Sequence, residues 1–232
     1  MKTTIFLFIF LLSLGGNSLK AQEAKDTSPF SFGADLVSRY IFRGLDFGNS
    51  PAIQPAFSFS KNNFTIGAWG SYAFIASPTG IEADLYASYE FDFGLSVGIT
   101  DYYFPVEMLK LNPDSSIAPV RNGTYFDYSN THYEELNISQ SLGNFTLKGN
   151  WGFHNMNNAL YFEAGYKFKW IDMFLGAGNK GYTTNEKFNV VNIGITASKD
   201  ISITEKYAFG ISSSLILNPE AEQIHLIFAL SL

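Results

Sequence analysis

The sequence predicts an all-β protein that folds as a single antiparallel transmembrane β-barrel of about twelve strands. From Phe30 onwards, apolar and polar residues alternate, whereas a helix would repeat them every three or four positions. Aromatic residues make up 17% of the 232 residues, yet the mean hydropathy is only +0.03, so polar side chains must be interleaved with the rings. In several segments the rings also gather near the strand ends, as in the aromatic girdles of membrane barrels.

Composition excludes several other classes of protein. The chain contains no cysteine, which rules out a disulfide scaffold and a cysteine-ligated metal site. A net charge of −6 argues against nucleic-acid binding, which normally requires a basic face. A content of 46% apolar residues with 23 phenylalanines is too hydrophobic for a disordered chain.

The N-terminus has the pattern of a secretory signal peptide. Lys2 precedes an apolar run at 5–14, and small residues break the run at 15–18. The run is too short to span a bilayer as a helix. We therefore expect residues 1–21 to be a signal peptide and residues 22–29 a short flexible leader. The barrel would occupy 30–232 in a Gram-negative outer membrane, with no further domain.

The first six predicted strands each present one apolar and one polar face. Strand 30–43 alternates Phe, Ala, Leu and Tyr with Ser, Gly, Asp and Arg. Strand 63–76 has rings at both ends and Ala and Gly between them, and strand 81–93 alternates Ile, Ala and Leu with Glu, Asp and Ser. A strand directs successive side chains to opposite faces, so each segment has one face for lipid and one for the barrel interior. The six predicted strands are 30–43, 52–60, 63–76, 81–93, 94–104 and 131–142.

The remaining six strands continue this rhythm, most clearly at 159–171. There the even positions from 160 to 170 are apolar, whereas the odd positions include Glu163, Lys167 and Lys169. A helix would scatter these charges among the rings, so a strand is the better interpretation. The segment 173–180 alternates least well. The six predicted strands are 144–155, 159–171, 173–180, 187–199, 206–217 and 223–232.

Two soluble architectures also bury alternating strands: a β-sandwich and a lipocalin-like barrel that binds lipid in the periplasm. Rings at the strand ends favour the membrane barrel, and only Asp101 and Glu134 place charges on the predicted apolar faces. The connections also favour it, because short turns such as 61–63 alternate with longer loops. The longest, loop 105–130, is expected outside the cell.

The side chains predicted to face the interior carry the functional information. Six acidic members against four basic ones in the wall predict a narrow channel for small hydrophilic solutes or ions with a mild cation preference. The alternative is a closed barrel whose interior is filled by a salt-bridged plug. The predicted outer constriction consists of Arg39, Arg43, Glu82, Asp84, Glu135, His154 and Glu163. The predicted lower lumen contains Asp35, Glu90, Lys148, Lys167 and Lys169.

No pattern in the sequence indicates an enzyme, a metal site or a cofactor. The three histidines, His132, His154 and His225, are dispersed and none has a nucleophile at a useful spacing. The glycine-rich stretch 176–181 lacks the Lys-Ser/Thr pair of a phosphate loop. The expected partners are outer-membrane lipid and small solutes, not nucleic acid. In the closed-barrel alternative, an extracellular partner would bind aromatic residues of loop 105–130, namely Tyr125, Phe126 and Tyr128.

Several motifs together resemble a known bacterial family. They are Ser-Arg-Tyr-Ile-Phe-Arg-Gly at 38–44, Pro-Ala-Ile-Gln-Pro at 51–55, Gly-Ala-Trp-Gly-Ser at 67–71, Glu-Ala-Asp-Leu-Tyr-Ala at 82–87, Tyr-Tyr-Phe-Pro at 102–105 and Glu-Leu-Asn at 135–137. Their order and spacing resemble the TorF family of porins, also catalogued as a bacterial family of unknown function, and Asn-Pro-Glu at 218–220 is similar to the Bacteroidetes versions. The resemblance covers about residues 33–140 and implies an outer-membrane porin. The chain ends in Leu232, where many such barrels end in an aromatic residue.

Overall fold

Twelve antiparallel strands close into one barrel, as the alternation predicts. The computed structural model describes residues 28–75, 80–105, 125–204 and 207–232. The predicted signal peptide and most of loop 105–130 lie outside these residues. Barrel strands that are neighbours in sequence pair with each other, and β1 (Phe30–Val37) closes the ring against β14 (Gln223–Ser231) through pairs such as Asp35 with Ser231.

Each remaining predicted strand corresponds to one barrel strand, with its ends shifted by a few residues at most. The poorly alternating ninth strand is present and pairs on both sides. The other barrel strands are β4 (Ala52–Lys61), β5 (Phe64–Ala73), β6 (Ile81–Glu90), β7 (Leu95–Tyr103), β8 (His132–Leu142), β9 (Phe145–His154), β10 (Ala159–Phe168), β11 (Ile171–Gly178), β12 (Asn189–Ser202) and β13 (Ala208–Asn218). Two short helical turns, α1 (Tyr128–Thr131) and a 3-10 turn (Lys180–Tyr182), lie in the connections.

The apolar face of the barrel points outward. Leu226 is 61% exposed on β14, whereas His225, its neighbour, is buried inside. A sandwich or a lipocalin-like barrel would place the aliphatic and aromatic face in the interior. The structure shows the reverse arrangement, with an apolar outer surface and a largely polar interior.

The two ends of the barrel differ. The terminal end, where β1 begins and β14 ends, has tight turns with residues at positive φ, including Asn62, Asn63 and Gly143. Asparagine and glycine tolerate this conformation, which two-residue hairpin turns require. The opposite end, called the loop end below, carries the longer connections.

The first predicted strand is wrong in its second half. The strand β1 ends at Val37, and the pairing of Val37 with Ala52 leaves residues 38–51 out of the wall. This segment contains a small hairpin of two strands, β2 (Ile41–Phe42) and β3 (Leu45–Asp46). We call residues 38–51 the plug, because the hairpin at its centre folds into the interior of the barrel at its loop end.

Candidate functional site: a plugged lumen

The plug begins with a tight turn whose two central residues have left-handed backbone geometry. Arg43 has φ of 52° and Gly44 has φ of 83°, as in hairpin turns of type I′. A Cβ atom at Gly44 would lie 2.0 Å from the carbonyl oxygen of Val191, so a side chain has no space there. The amide of Asn218 donates to the Gly44 carbonyl at 3.2 Å. Glycine is therefore required where the plug turn meets the wall.

The plug reaches across the full width of the barrel. On one side, Ile41 packs with Ile216 and with Ile227 of β14. On the other side, Arg43 binds Glu135 of β8. The strands β14 and β8 are six positions apart in the ring of twelve, so these contacts lie on opposite walls. The plug thus spans the interior at this level.

Arg43 is the central anchor of the plug. Its side chain is 2% exposed, and its two terminal nitrogens donate to the two carboxylate oxygens of Glu135 at 2.6 and 2.8 Å. It also donates to the Tyr182 hydroxyl. The guanidinium carbon lies 4.6 Å from the ring centres of Phe42 and of Tyr161. Bidentate pairing and stacking of this kind fix a guanidinium in both position and orientation.

Glu135 is held in place by further donors from the wall. The Tyr102 hydroxyl donates to Oε1 at 3.0 Å, and the amides of Asn137 and Asn150 donate to the same oxygen at 2.6 and 3.2 Å. A buried ion pair is tolerated when additional hydrogen bonds satisfy both ions. The wall therefore provides a preformed socket for Arg43.

The two arginines of the predicted constriction have different partners. Arg43 pairs with Glu135, although Arg43 comes from the plug and not from a wall strand. Arg39 instead pairs within the plug with Asp46 at 2.8 Å, and its side chain is 39% exposed. Neither arginine forms an ion pair with Glu82 or Asp84. Both of these carboxylates are buried inside the barrel, on β6.

A second charged pair lies in the wall of β9 and β10. Lys148 Nζ contacts Glu163 Oε1 at 2.8 Å, and the Tyr161 hydroxyl donates to Glu163 Oε2 at 2.6 Å. The sequence-based division placed Lys148 in the lower half and Glu163 in the outer half. This division is wrong, because the two residues are direct cross-strand partners at the same height.

The remaining predicted residues are distributed between the lumen, the rims and a turn. Asp35 and Glu90 are partly buried at inward positions of β1 and β6. Lys167, mostly exposed, approaches Asp172 at 3.5 Å. Lys169 is not a lumen residue, because it lies in the β10–β11 turn with φ of 55°. His154 lies at the loop-end rim, where its Nε2 is 3.1 Å from the Tyr128 carbonyl oxygen.

The sequence-based reasoning missed two tyrosines of the lumen. Tyr102 and Tyr161 are buried on the polar face of their strands and provide hydrogen bonds to the charged pairs. Trp69 packs against Tyr40 of the plug with ring centres 5.5 Å apart. One feature of the sequence could have identified them. In each case a large ring lies on the strand face whose other residues are polar. Rings at such positions indicate packing inside the lumen.

Small hydroxyl side chains line much of the interior on the terminal side of the plug. Thr196 and Ser214 lie 2.8 Å apart across β12 and β13. Short hydroxyl side chains give a polar lining with little bulk, which suits a hydrated interior. The buried inward-facing members are Ser58, Ser96, Ser139, Thr196 and Ser214.

Comparison with known proteins identifies the family. None of the helical turns in the described residues is long and apolar enough to cross a membrane. No curated protein matches the chain. A family described as "Bacterial protein of unknown function (Gcw_chp)" matches residues 21–173. The match supports the resemblance to a family of unknown function and does not support the name TorF or a porin activity. The chain belongs to the Gcw_chp family of bacterial proteins of unknown function.

Proposed function

We propose that this protein is an outer-membrane barrel that controls the passive passage of small hydrophilic solutes or ions through its plug. The outward apolar face suits a lipid environment. The observation that carries the proposal is the span of the plug from β14 to β8. A segment that crosses the whole lumen determines whether solutes or ions can pass through the barrel.

The geometry also explains why the plug is a separate element. The plug is anchored by side chains of its own hairpin, whereas Val37 and Ala52 already pair with each other at the rim. The barrel wall therefore does not need the plug in order to close. Movement of the plug would leave a lumen lined by polar side chains.

The test replaces residues 38–51 with a two-residue Asn-Gly turn between Val37 and Ala52, the connection that paired strand ends accept. In planar bilayers the wild-type protein should be closed most of the time, and the variant should conduct steadily. A matched control places the same Asn-Gly turn between Ser202 and Ala208, which pair at the terminal end, away from the plug. This control should behave as wild type. A folded plug-free variant with wild-type conductance would show that the plug does not control passage.

A second candidate function is binding of an extracellular partner by a permanently closed barrel. Phe126, 89% exposed, lies at the loop end beside Tyr125. Tyr125 in turn packs against buried His132, which pairs with Asp101 at 2.8 Å. These contacts hold exposed rings on a rigid base, as in many binding surfaces. Absence of conductance in the plug-free variant would favour this function.

A further inference from the structure

Two carboxylates on β6 are buried without a compensating charge. Glu82 is 2% exposed and Asp84 is 1% exposed. None of the ion pairs among the described residues involves either of them. Glu82 Oε2 and both carboxylate oxygens of Asp84 lack a hydrogen-bond partner. Ionised carboxylates in such surroundings are costly unless a cation or a proton accompanies them.

A third oxygen reaches the same place from the plug. The hydroxyl of Tyr40 lies beside Glu82, as does the carboxyl of Asp84. Tyr40 is 3% exposed and its hydroxyl also has no hydrogen-bond partner. Its ring is fixed by packing against Trp69 and Phe47. The plug and the wall therefore each direct unpartnered oxygen atoms to one buried point.

From this geometry we infer that Glu82, Asp84 and Tyr40 form a binding site for one Ca²⁺ ion between the wall and the plug. All the side-chain donors are oxygens, which hard cations prefer. Two carboxylates neutralise one divalent ion and can supply up to four oxygens if both bind in bidentate fashion. The Tyr40 hydroxyl would add one more oxygen.

A shared proton or a monovalent ion would satisfy fewer of these oxygens. A proton held between Glu82 and Asp84, with the Tyr40 hydroxyl donating to Glu82, would remove one charge but would leave the second carboxylate charge buried and uncompensated. A monovalent ion would also leave one negative charge buried. The oxygens are too enclosed for an organic cation. Mg²⁺ usually retains several waters, whereas Ca²⁺ accepts a cage of protein oxygens. No group of three or more His, Cys, Asp or Glu in the described residues could hold a metal ion, so this site relies on two carboxylates and one hydroxyl.

The consequence for the molecule rests on the proposed function of the plug. A Ca²⁺ ion that binds Tyr40 together with Glu82 and Asp84 would join the plug to β6, on a part of the wall different from that which binds Arg43. Calcium would then favour the closed state. Its removal would leave two repelling carboxylates next to Tyr40 and would favour release of the plug.

Binding is tested on the refolded chain in detergent micelles after dialysis against a chelator. Isothermal titration with CaCl₂ should show one site, and MgCl₂ should bind more weakly. The variant E82Q/D84N should bind Ca²⁺ about tenfold more weakly or worse, since even outer-shell changes cost that much in metal sites. The matched control E90Q removes another inward carboxylate of β6 and should bind as wild type. Y40F retains the ring and should weaken binding without loss of fold.

Two results would overturn the site. In the first, wild type and E82Q/D84N bind Ca²⁺ equally, or neither binds it. In the second, Mg²⁺ binds more tightly than Ca²⁺. Tb³⁺ luminescence excited through the nearby aromatic rings gives an independent readout, which should be strong in wild type and lost in E82Q/D84N. Unchanged Ca²⁺ affinity in a folded Y40F protein would exclude Tyr40 as a ligand.

The regulatory consequence is measured separately, so that failure of the site and failure of the channel are distinguishable. A chelator should raise the open probability of wild type in bilayers and should not affect E82Q/D84N. If calorimetry shows the site and the plug-free variant does not conduct, the proposed channel is wrong and the site stands. If the plug-free variant conducts but wild type binds no Ca²⁺, the channel stands and the site is wrong.

Discussion

At the scale of single residues, Arg43 determines where the plug lies. A charged side chain in the interior of a barrel requires a partner, and the wall provides one in Glu135 together with the Tyr182 hydroxyl. Removing one member of a buried pair is costly because the other charge remains without compensation. The pair thus sets the position of the plug more than it adds to overall stability.

We predict that Arg43→Met lowers the stability of the plugged state by about 3–5 kcal/mol, because Glu135 would remain buried and unpaired. Trp69 reports on the plug through its contact with Tyr40. Phe substitutions at the two outward tryptophans, Trp151 and Trp170, make Trp69 the sole source of tryptophan emission. Urea titration of Trp69 emission measures the effect. Unchanged Trp69 quenching by acrylamide would contradict it.

The matched control in the same segment is Arg39→Met. Arg39 also pairs with a carboxylate, that of Asp46, but its side chain is 39% exposed. Exposed ion pairs contribute about 0–1 kcal/mol. The difference in the stability lost by the two variants therefore separates the effect of burial from the effect of losing an arginine.

At the scale of elements, each wall strand has an apolar outer face and a largely polar inner face. The plug departs from this rule, because its apolar side chains are buried in the lumen. Alternation continues through Tyr40 and Phe42, which made residues 38–43 look like the end of β1. The plug hairpin shows the same alternation because it is also an extended chain, and the side chains of one face pack inside the lumen and must be apolar. Ser38, which interrupts the apolar series, and the glycines at 44 and 48 were the signals of a turn.

We predict that Leu85→Arg, on the outer face of β6, destabilises the barrel in lipid by about 2–4 kcal/mol, since a charge near the bilayer centre is costly. Leu85 is 49% exposed and points away from the interior. The control Ser88→Arg points inward on the same strand and should cost much less. Unfolding in lipid vesicles, followed by a heat-dependent gel shift, measures both. Equal stability of the two variants would argue against a lipid-facing position for Leu85.

At the scale of the whole molecule, charge is concentrated in the interior but is unevenly compensated. Arg43 neutralises Glu135 and Lys148 neutralises Glu163. Asp35, partly buried on β1, has no ion pair among the described residues. The interior therefore carries an acidic excess, which increases when the plug and its Arg43 leave.

We predict that the plug-free variant is cation-selective, because fixed negative charge attracts cations into the lumen. Reversal potentials in a KCl gradient measure the selectivity. Adding D35N/E90Q should reduce the preference, whereas E220Q, in the β13–β14 connection at the loop end, should not change it. Anion selectivity of the plug-free variant would exclude this mechanism.

The barrel, its strand number and the outward apolar face could all be predicted from the sequence, because the strand period of two is local and visible along the chain. The same period identified Arg43, Glu135, Glu82 and Asp84 as interior residues. It did not reveal that residues 38–51 enter the lumen, that Lys148 lies beside Glu163, or that Tyr40 approaches Glu82. These contacts join segments far apart in the sequence, and only closure of the sheet and folding of the plug bring them together.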